Sequence, residues 1–451
     1  MRKNCLSIIV LWAVAAVAQP TAREWNAAVR AGWNLGNQME CPAPGQNNEG
    51  YDITNPSNAL NAETAWGNPM VTKAMIDAVK AAGFDAVRIP VRWQHHITDE
   101  ATMSVDAAWM NRLKEIVGYC LDNDMRVIIN THHDQWLERR VTNAYKTENN
   151  RRLGQLWTNI ATAFRDYDYR LAFAGTNEVH MPNNWNAPTA ENQAVQNAYN
   201  QTFVDAVRAT GGNNAKRHLV VQTYNTSIDF GLRSNGFIIP TDVAGNGNNY
   251  MSVEFHYYTP WDYCGDATTY YWGESYKGNA KTSTSTEKNM RQDFERAAKA
   301  WSAVGLGVII GEWGITDHWD NAMNMPSIHA NMTYYCKTLT EEALSRGFAA
   351  FVWDNNAFGN GQEKFGIFDR HQGMTVKASW IVSGIMNGAA TNVHVPAAST
   401  RTPAILCVSG RRLIVKRGDK NYDLRGYADT EMRGRVGRQP RGSGGGSVRP
   451  D

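Results

Sequence analysis

Residues 126–134 read Arg126-Val127-Ile128-Ile129-Asn130-Thr131-His132-His133-Asp134. A short run that is apolar on both faces gives way at once to polar and histidine-rich chain. Such runs suit parallel strands covered by helices on both sides. The same step from apolar to polar recurs along the chain. Other runs are Gly32 to Leu35, Ala86 to Pro90, Leu171 to Gly175, His218 to Gln222, Met251 to His256, Leu306 to Gly311 and Phe348 to Trp353. Helical patterns lie between most of them: 71–82, 107–122, 150–165, 192–210, 287–304 and 331–346, with 377–387 closing the series. Several runs end in Gly, Asn or Asp turn residues, as strand–helix alternation requires. Eight such units predict an α/β chain folded as a (β/α)₈ TIM barrel over residues 19–390. A doubly wound open sheet is the alternative, and it lacks a Gly-rich phosphate loop after the first strand.

Barrel enzymes carry their working residues at the C-terminal ends of the strands. Reading off those ends yields Arg88, then His132 and His133, then Asn177 and Glu178, then His256 and Tyr258, then Glu312, then Trp353. A purely structural rim has no reason to gather two carboxylates, three histidines and an arginine. Two carboxylates are what glycoside hydrolysis needs, one protonated to donate to the leaving oxygen and one ionised to attack the anomeric carbon. A guanidinium such as Arg88 would keep a nearby Glu312 ionised. Tyr258 could hydrogen-bond the same carboxylate, Asn177 could donate to a sugar hydroxyl, and Trp353 offers a flat face to a ring. His132 and His133 could also be read as a metal pair, but no Asp or Glu spacing completes it. No metal and no cofactor are expected.

The composition is compatible. Forty-five Lys and Arg against 43 Asp and Glu leave a formal charge of +2, without the basic stripe of a nucleic-acid partner. The chain has 16 Trp and 18 Tyr. Trp66, Trp93, Trp136, Trp185, Trp261, Trp272 and Trp319 fall in or near the loops at the strand ends, each a candidate sugar platform. Arg2 and Lys3, an apolar run from Leu6 to Val17, and Ala16-Val17-Ala18 before Gln19 read as a signal peptide over residues 1–18. The mature chain is therefore expected to be secreted, free of the membrane and monomeric. Cys41, Cys120, Cys264, Cys336 and Cys407 are an odd set at wide spacings, open to a disulfide or to buried thiols. Residues 391–428 hold two β-like runs, 404–408 and 412–415, and predict a short C-terminal appendage. The Arg- and Gly-rich residues 429–451 are expected to be disordered.

Seven stretches in order resemble glycoside hydrolase family 5, the cellulase family. They are Gly32-Trp33-Asn34-Leu35-Gly36-Asn37, Val87-Arg88-Ile89-Pro90-Val91, Asn130-Thr131-His132-His133-Asp134, Thr176-Asn177-Glu178, Glu254-Phe255-His256-Tyr257-Tyr258, Gly311-Glu312-Trp313-Gly314 and Phe351-Val352-Trp353-Asp354. The resemblance implies a retaining mechanism on a β-linked polysaccharide, with Glu178 as acid/base and Glu312 as nucleophile. It also implies that Arg88, His132, His133, Asn177, His256, Tyr258 and Trp353 line the cleavage subsite. The expected activity is that of an endo-β-1,4-glucanase, with xyloglucan, mixed-linkage glucan and mannan as alternative substrates. A non-enzymatic carbohydrate-binding barrel would be expected to have lost a carboxylate. Two departures stand out. Val179 and His180 follow the first Glu where many members carry Pro, and Gln38 stands where many carry Thr.

Overall fold

The computed structural model describes residues 19–266, 268–318, 325–359 and 361–391, together with four short strands beyond. Eight strands make one closed, all-parallel barrel. They are β1 (Gly32–Leu35), β2 (Ala86–Ile89), β3 (Arg126–Asn130), β4 (Leu171–Ala174), β5 (Leu219–Gln222), β6 (Met251–Tyr257), β7 (Gly307–Trp313) and β8 (Ala349–Asp354). Each neighbours the next in sequence, and β1 closes the ring by pairing with both β2 and β8. Each lies within a residue or two of its predicted run.

Period-two alternation sorts the strand residues. Val87 and Ile89, Val127 and Ile129, Leu171 and Phe173, and Leu219 and Val221 join the large core cluster shared with the helices. The alternate positions Ala86, Ile128, Ala172, Ala174, Val220, Ile309 and Phe351 form a second, smaller cluster inside the barrel. Trp25 and Val29 belong to that inner cluster. Trp25 comes from a short helix, α1 (Ala22–Ala27), and its indole donates to the Tyr169 carbonyl. The next inward positions of β2, β5 and β6 are Arg88, Gln222 and Glu254, all buried. The barrel interior thus changes from apolar to charged one layer below its C-terminal mouth.

The outer helices are α2 (Lys73–Ala81), α3 (Ala107–Asp122), α4 (Asn143–Ala163), α5 (Ala190–Ala209), α6 (Glu287–Ala300), α7 (Met325–Ser345) and α8 (Ser379–Thr391). The first turn of α3 shows the local logic. Asp106 accepts from the Ala108 and Trp109 amides, while Trp109, Leu113, Ile116, Val117 and Cys120 turn one stripe inward. The start of α4 lies well before the predicted residue 150. Residues 143–149 are almost all polar, so no apolar period marks that turn. Between β5 and β6 there is only a short turn of helix, Ile228–Gly231, preceded by one 3₁₀ turn, Tyr224–Thr226.

The chain divides into two units, Met1–Asn392 and Val393–Asp451. In the second, Ile405–Ser409, Arg412–Arg417, Lys420–Leu424 and Arg435–Val436 pair as an antiparallel sheet in that order. Residues 1–18, expected to be a signal peptide, and most of 429–451, expected to be disordered, lie outside the described residues. Among the described residues no helix is long and apolar enough to cross a membrane. Cys41, Cys120, Cys264 and Cys336 are buried free thiols, so none of these four is in a disulfide.

Candidate active site

Arg88 is the centre of the charged layer. It is fully buried on β2. Its Nη1 donates to Glu312 Oε1 at 2.9 Å and to Asn34 Oδ1 at 3.0 Å, and its Nη2 donates to Asn177 Oδ1 at 2.8 Å. Its Nε lies 3.1 Å from Glu254 Oε1. Every arm of the guanidinium is therefore committed to a different strand end. Such a fork is what Arg supplies and Lys cannot.

Glu312 reaches the mouth through a break in strand register. The pairing of β6 with β7 shifts between Phe255 and His256, so that Phe255 faces Ile310 but His256 faces Glu312. The β7–β8 pairing shifts at the same level. A β-bulge re-aims one side chain, and here it leaves Gly311 unpaired. The bare Cα is needed there, since a Cβ on Gly311 would sit 1.7 Å from Glu254 Oε1. Glu254 fills that space and accepts from Gln222 Nε2 at 2.7 Å.

Three carboxylates then converge on two cations. His256 Nδ1 lies 2.7 Å from Glu178 Oε1 and 3.6 Å from Glu312 Oε2, and its Nε2 lies 3.4 Å from Glu254 Oε1. Burial pulls the imidazole pKa down, but Glu312 and the hydrogen bonds to Glu178 and Glu254 outweigh it and raise it to about 10. His256 is thus an imidazolium donating from both nitrogens. Burial would lift the Glu178 carboxyl, yet the His256 contact holds it down to about 2. Glu312 stands above its ordinary value, because burial together with the charges of Glu178 and Glu254 outweighs His256 and Arg88. Arg88 does touch Glu312, as the sequence suggested, but desolvation is the larger effect. In the free site the shared proton rests on His256 rather than on Glu178. Tyr258 is raised well above its ordinary value by burial and by Glu312, so its phenol keeps its proton and donates to Glu312 Oε2 at 3.2 Å.

One oxygen each of Glu178 and Glu312 and one nitrogen of His256 lie within 4.8 Å of one another. Two carboxylates and an imidazole could in principle hold a metal. Here the imidazole lies between Glu178 and Glu254 as a hydrogen-bond partner of both. His132 and His133 belong to no group of three such ligands among the described residues. His132 is neutral, its pKa driven far down by burial and by His133. Its ring nitrogens lie 3.2 Å from Asn130 Nδ2 and 3.4 Å from Asn177 Nδ2. Its plane runs parallel to the Trp353 indole, with centroids 6.0 Å apart.

All nine residues picked from the sequence belong to this one place. Eight of them line a single cleft of about 1150 Å³, and Arg88 lies beneath as its floor. Trp66, Trp185 and Trp261 also line the cleft, and they are 37%, 64% and 46% exposed. Trp93, Trp136 and Trp272 are fully buried, so their candidacy as sugar platforms is withdrawn. Their indoles pack in the large core cluster, and the Trp93 N–H donates to the Asn130 carbonyl at 2.9 Å. Trp319 lies outside the described residues. Asn34 and Glu254 were not singled out, although both stand in the motif stretches. The available signal was a charged or amide residue inside an otherwise apolar strand.

The model of the cellulase family, glycosyl hydrolase family 5, matches residues 47–359. The chain belongs to glycosyl hydrolase family 5. An endoglucanase A of Paenibacillus barcinonensis is 34% identical over 82% of this chain and 90% of its own length. A xyloglucan-specific endo-β-1,4-glucanase of Bacteroides ovatus is 38% identical over 66% of this chain and 57% of its own. The solved structure of a family 5 xyloglucanase from Paenibacillus pabuli superposes with a TM-score of 0.71. It is 34% identical to this chain and covers 81% of it and 99% of its own length. As a family 5 member the protein is a glycoside hydrolase.

Proposed function

We infer that the protein is a retaining endo-β-1,4-glucanase in which Glu312 is the nucleophile and Glu178 the acid/base. The observation that carries this is the approach of the two carboxylates to within 4.8 Å around one imidazolium. Retaining enzymes place the pair about 5–5.5 Å apart, whereas inverting enzymes need about 6.5–9.5 Å to admit a water.

In the first step a Glu312 oxygen bonds to the anomeric carbon, the glycosidic C–O bond breaks, and the leaving oxygen takes a proton from Glu178. That proton is held 2.7 Å away on His256 in the free site. Attack converts Glu312 into a neutral ester. The imidazolium then loses its chief electrostatic support, and its proton moves toward Glu178 as the leaving oxygen demands it. In the second step Glu178 takes a proton from water, the water oxygen bonds to the anomeric carbon, and the bond to Glu312 breaks. Asn177, held through its Oδ1 by Arg88, keeps one Nδ2 hydrogen beyond the His132 contact to donate to a sugar hydroxyl. Trp353 and Tyr258 wall the reacting ring.

The cleft runs across the whole mouth, from Asn37 and Trp66 to Trp185 and Trp261, which suits internal cleavage of a chain. Xyloglucan is the second reading, favoured by the likeness to a xyloglucan-specific relative. The N-terminal Arg2-Lys3 and apolar run support export of the chain, with the mature form a monomer. The deciding experiment is product analysis on carboxymethylcellulose, mixed-linkage glucan, xyloglucan and mannan. Internal cuts in one or more of the first three are expected. Hydrolysis of mannan alone would sink the glucanase assignment.

A further inference from the structure

The chain leaves the family pattern immediately after Glu178, at Val179 and His180. His180 is buried and is held on three sides. Its amide donates to the Glu138 carbonyl at 3.0 Å. Its ring Nδ1 lies 2.7 Å from the Glu178 carbonyl oxygen and 3.1 Å from Arg139 Nη1. The same carbonyl accepts from Arg139 Nη1 at 2.7 Å. The face of the ring meets the Trp185 indole, with centroids 4.1 Å apart and planes tilted by 38°. From the β5 side, Asn225 N donates to the Val179 carbonyl and the Tyr224 hydroxyl accepts from Met181 N, both at 3.0 Å.

Trp185 is the most exposed of the aromatic residues lining the cleft. An indole in that position has little packing of its own to fix it. His180 supplies a flat wall, and that wall is fastened to the peptide of Glu178. The barrel order decides which part of the substrate Trp185 can meet. Glu312 bonds to the sugar that stays, and its neighbour β8 brings Trp353 to that side. Glu178 protonates the oxygen that leaves, and Trp185 follows Glu178 on the loop after β4, across the ring from β8.

We propose that His180 is a positioning residue that holds Trp185 as a stacking platform for the sugar units of the leaving group and ties that platform to the Glu178 peptide. The assignment of the leaving side rests on Glu178 being the acid/base. The pyranose face of a β-linked glucan is the ligand, and the stacking geometry is the specificity element. A substrate without sugar beyond the scissile bond gains nothing from it.

His180→Ala, Trp185→Ala and the double variant are assayed on cellohexaose and on 2,4-dinitrophenyl β-cellobioside, whose leaving group carries no sugar. Each single change is expected to lower kcat/KM on cellohexaose about tenfold, the size of one lost aromatic contact, mainly through KM. The loss on the aryl glycoside is expected to be at least roughly five times smaller. The double variant should match Trp185→Ala within about twofold, because His180 acts through the indole. His180→Phe keeps a ring face in the same place but loses the Nδ1 contact to the Glu178 carbonyl, and should restore part of KM. Additive losses, equal losses on the two substrates, or failure of the Phe variant to recover KM would each overturn the proposal. Glu178→Ala reads the underlying assignment separately. If it loses the aryl glycoside as completely as cellohexaose, the acid/base reading falls and the leaving-side placement falls with it. The coupling of His180 to Trp185 is still decided by the double variant.

Discussion

The floor and the rim of this cleft are built on opposite plans. The floor is made of strand residues: Arg88, Glu254 and Glu312 are buried and His256 is partly so, and the four are charged and paired with one another across the barrel. The rim is made of loop residues: Trp66, Trp185 and Trp261 are exposed and largely uncharged in their contacts. A strand held by hydrogen bonds on both sides positions an atom to a few tenths of an ångström, which bond-making chemistry needs. A loop can shift to fit a chain of sugars, and a misplaced indole costs affinity rather than the reaction. Burial makes the floor electrostatically strong, because charges in a low-dielectric barrel feel one another more than in water. It also makes the floor unforgiving, since removing one member of a buried pair strands the other.

The sharpest break of this contrast is Glu312→Ala, which should lower kcat on glucan by at least about 10⁴-fold. Added azide should then give a glycosyl azide of inverted configuration, and near-normal turnover of the variant would refute the mechanism. Glu178→Ala comes next, with a fall of roughly 10²–10⁴-fold on glucan and a much smaller one on aryl glycosides with good leaving groups. Comparison of initial rates on the two substrates checks it. Glu254→Gln keeps the shape of the floor and removes one charge. It should cost on the order of 3 kcal/mol in denaturant unfolding and move the alkaline limb of the pH–rate profile to lower pH, because His256 loses a partner that raises its pKa.

The pH dependence of stability carries the same signature. His256 is raised from 6.5 to about 10 in the fold. Its contribution is therefore present in full below pH 6.5 and is lost as pH rises toward 10. His256→Gln should remove that part of the alkaline decline in thermal midpoint, and an unchanged slope would argue that the imidazole is not charged. At the rim the effects are smallest. Trp261→Ala should raise KM on glucan a few-fold, about what one exposed aromatic contact contributes, and leave the thermal midpoint within a degree or so of the parent. A rim substitution that cost as much stability as Glu254→Gln would erase the distinction between the two regions.

Most of the barrel was legible because its strands are short apolar runs that end abruptly in polar chain, as 126–134 does. The strand ends also gave the candidate residues, and the fold gathers Glu178, Glu312 and His256 at one cleft. Glu254 escaped because a carboxylate inside an apolar run carries no mark of its partner, and its partner Arg88 is far away in sequence. The buried indoles of Trp93, Trp136 and Trp272 and the exposed one of Trp185 look alike in sequence, because exposure depends on what packs above each loop.

By itself the order of residues along this chain determined the alternation of strand and helix, the two glutamates and the aromatic supply, because each is a local pattern. Only the tertiary structure decided that Glu178 and Glu312 approach within 4.8 Å, because that gap is set by barrel closure and by the bulge at Gly311. It also decided where the proton rests. The pKa of His256 is the sum of burial and three carboxylates drawn from separate strands, and no stretch of sequence contains that sum.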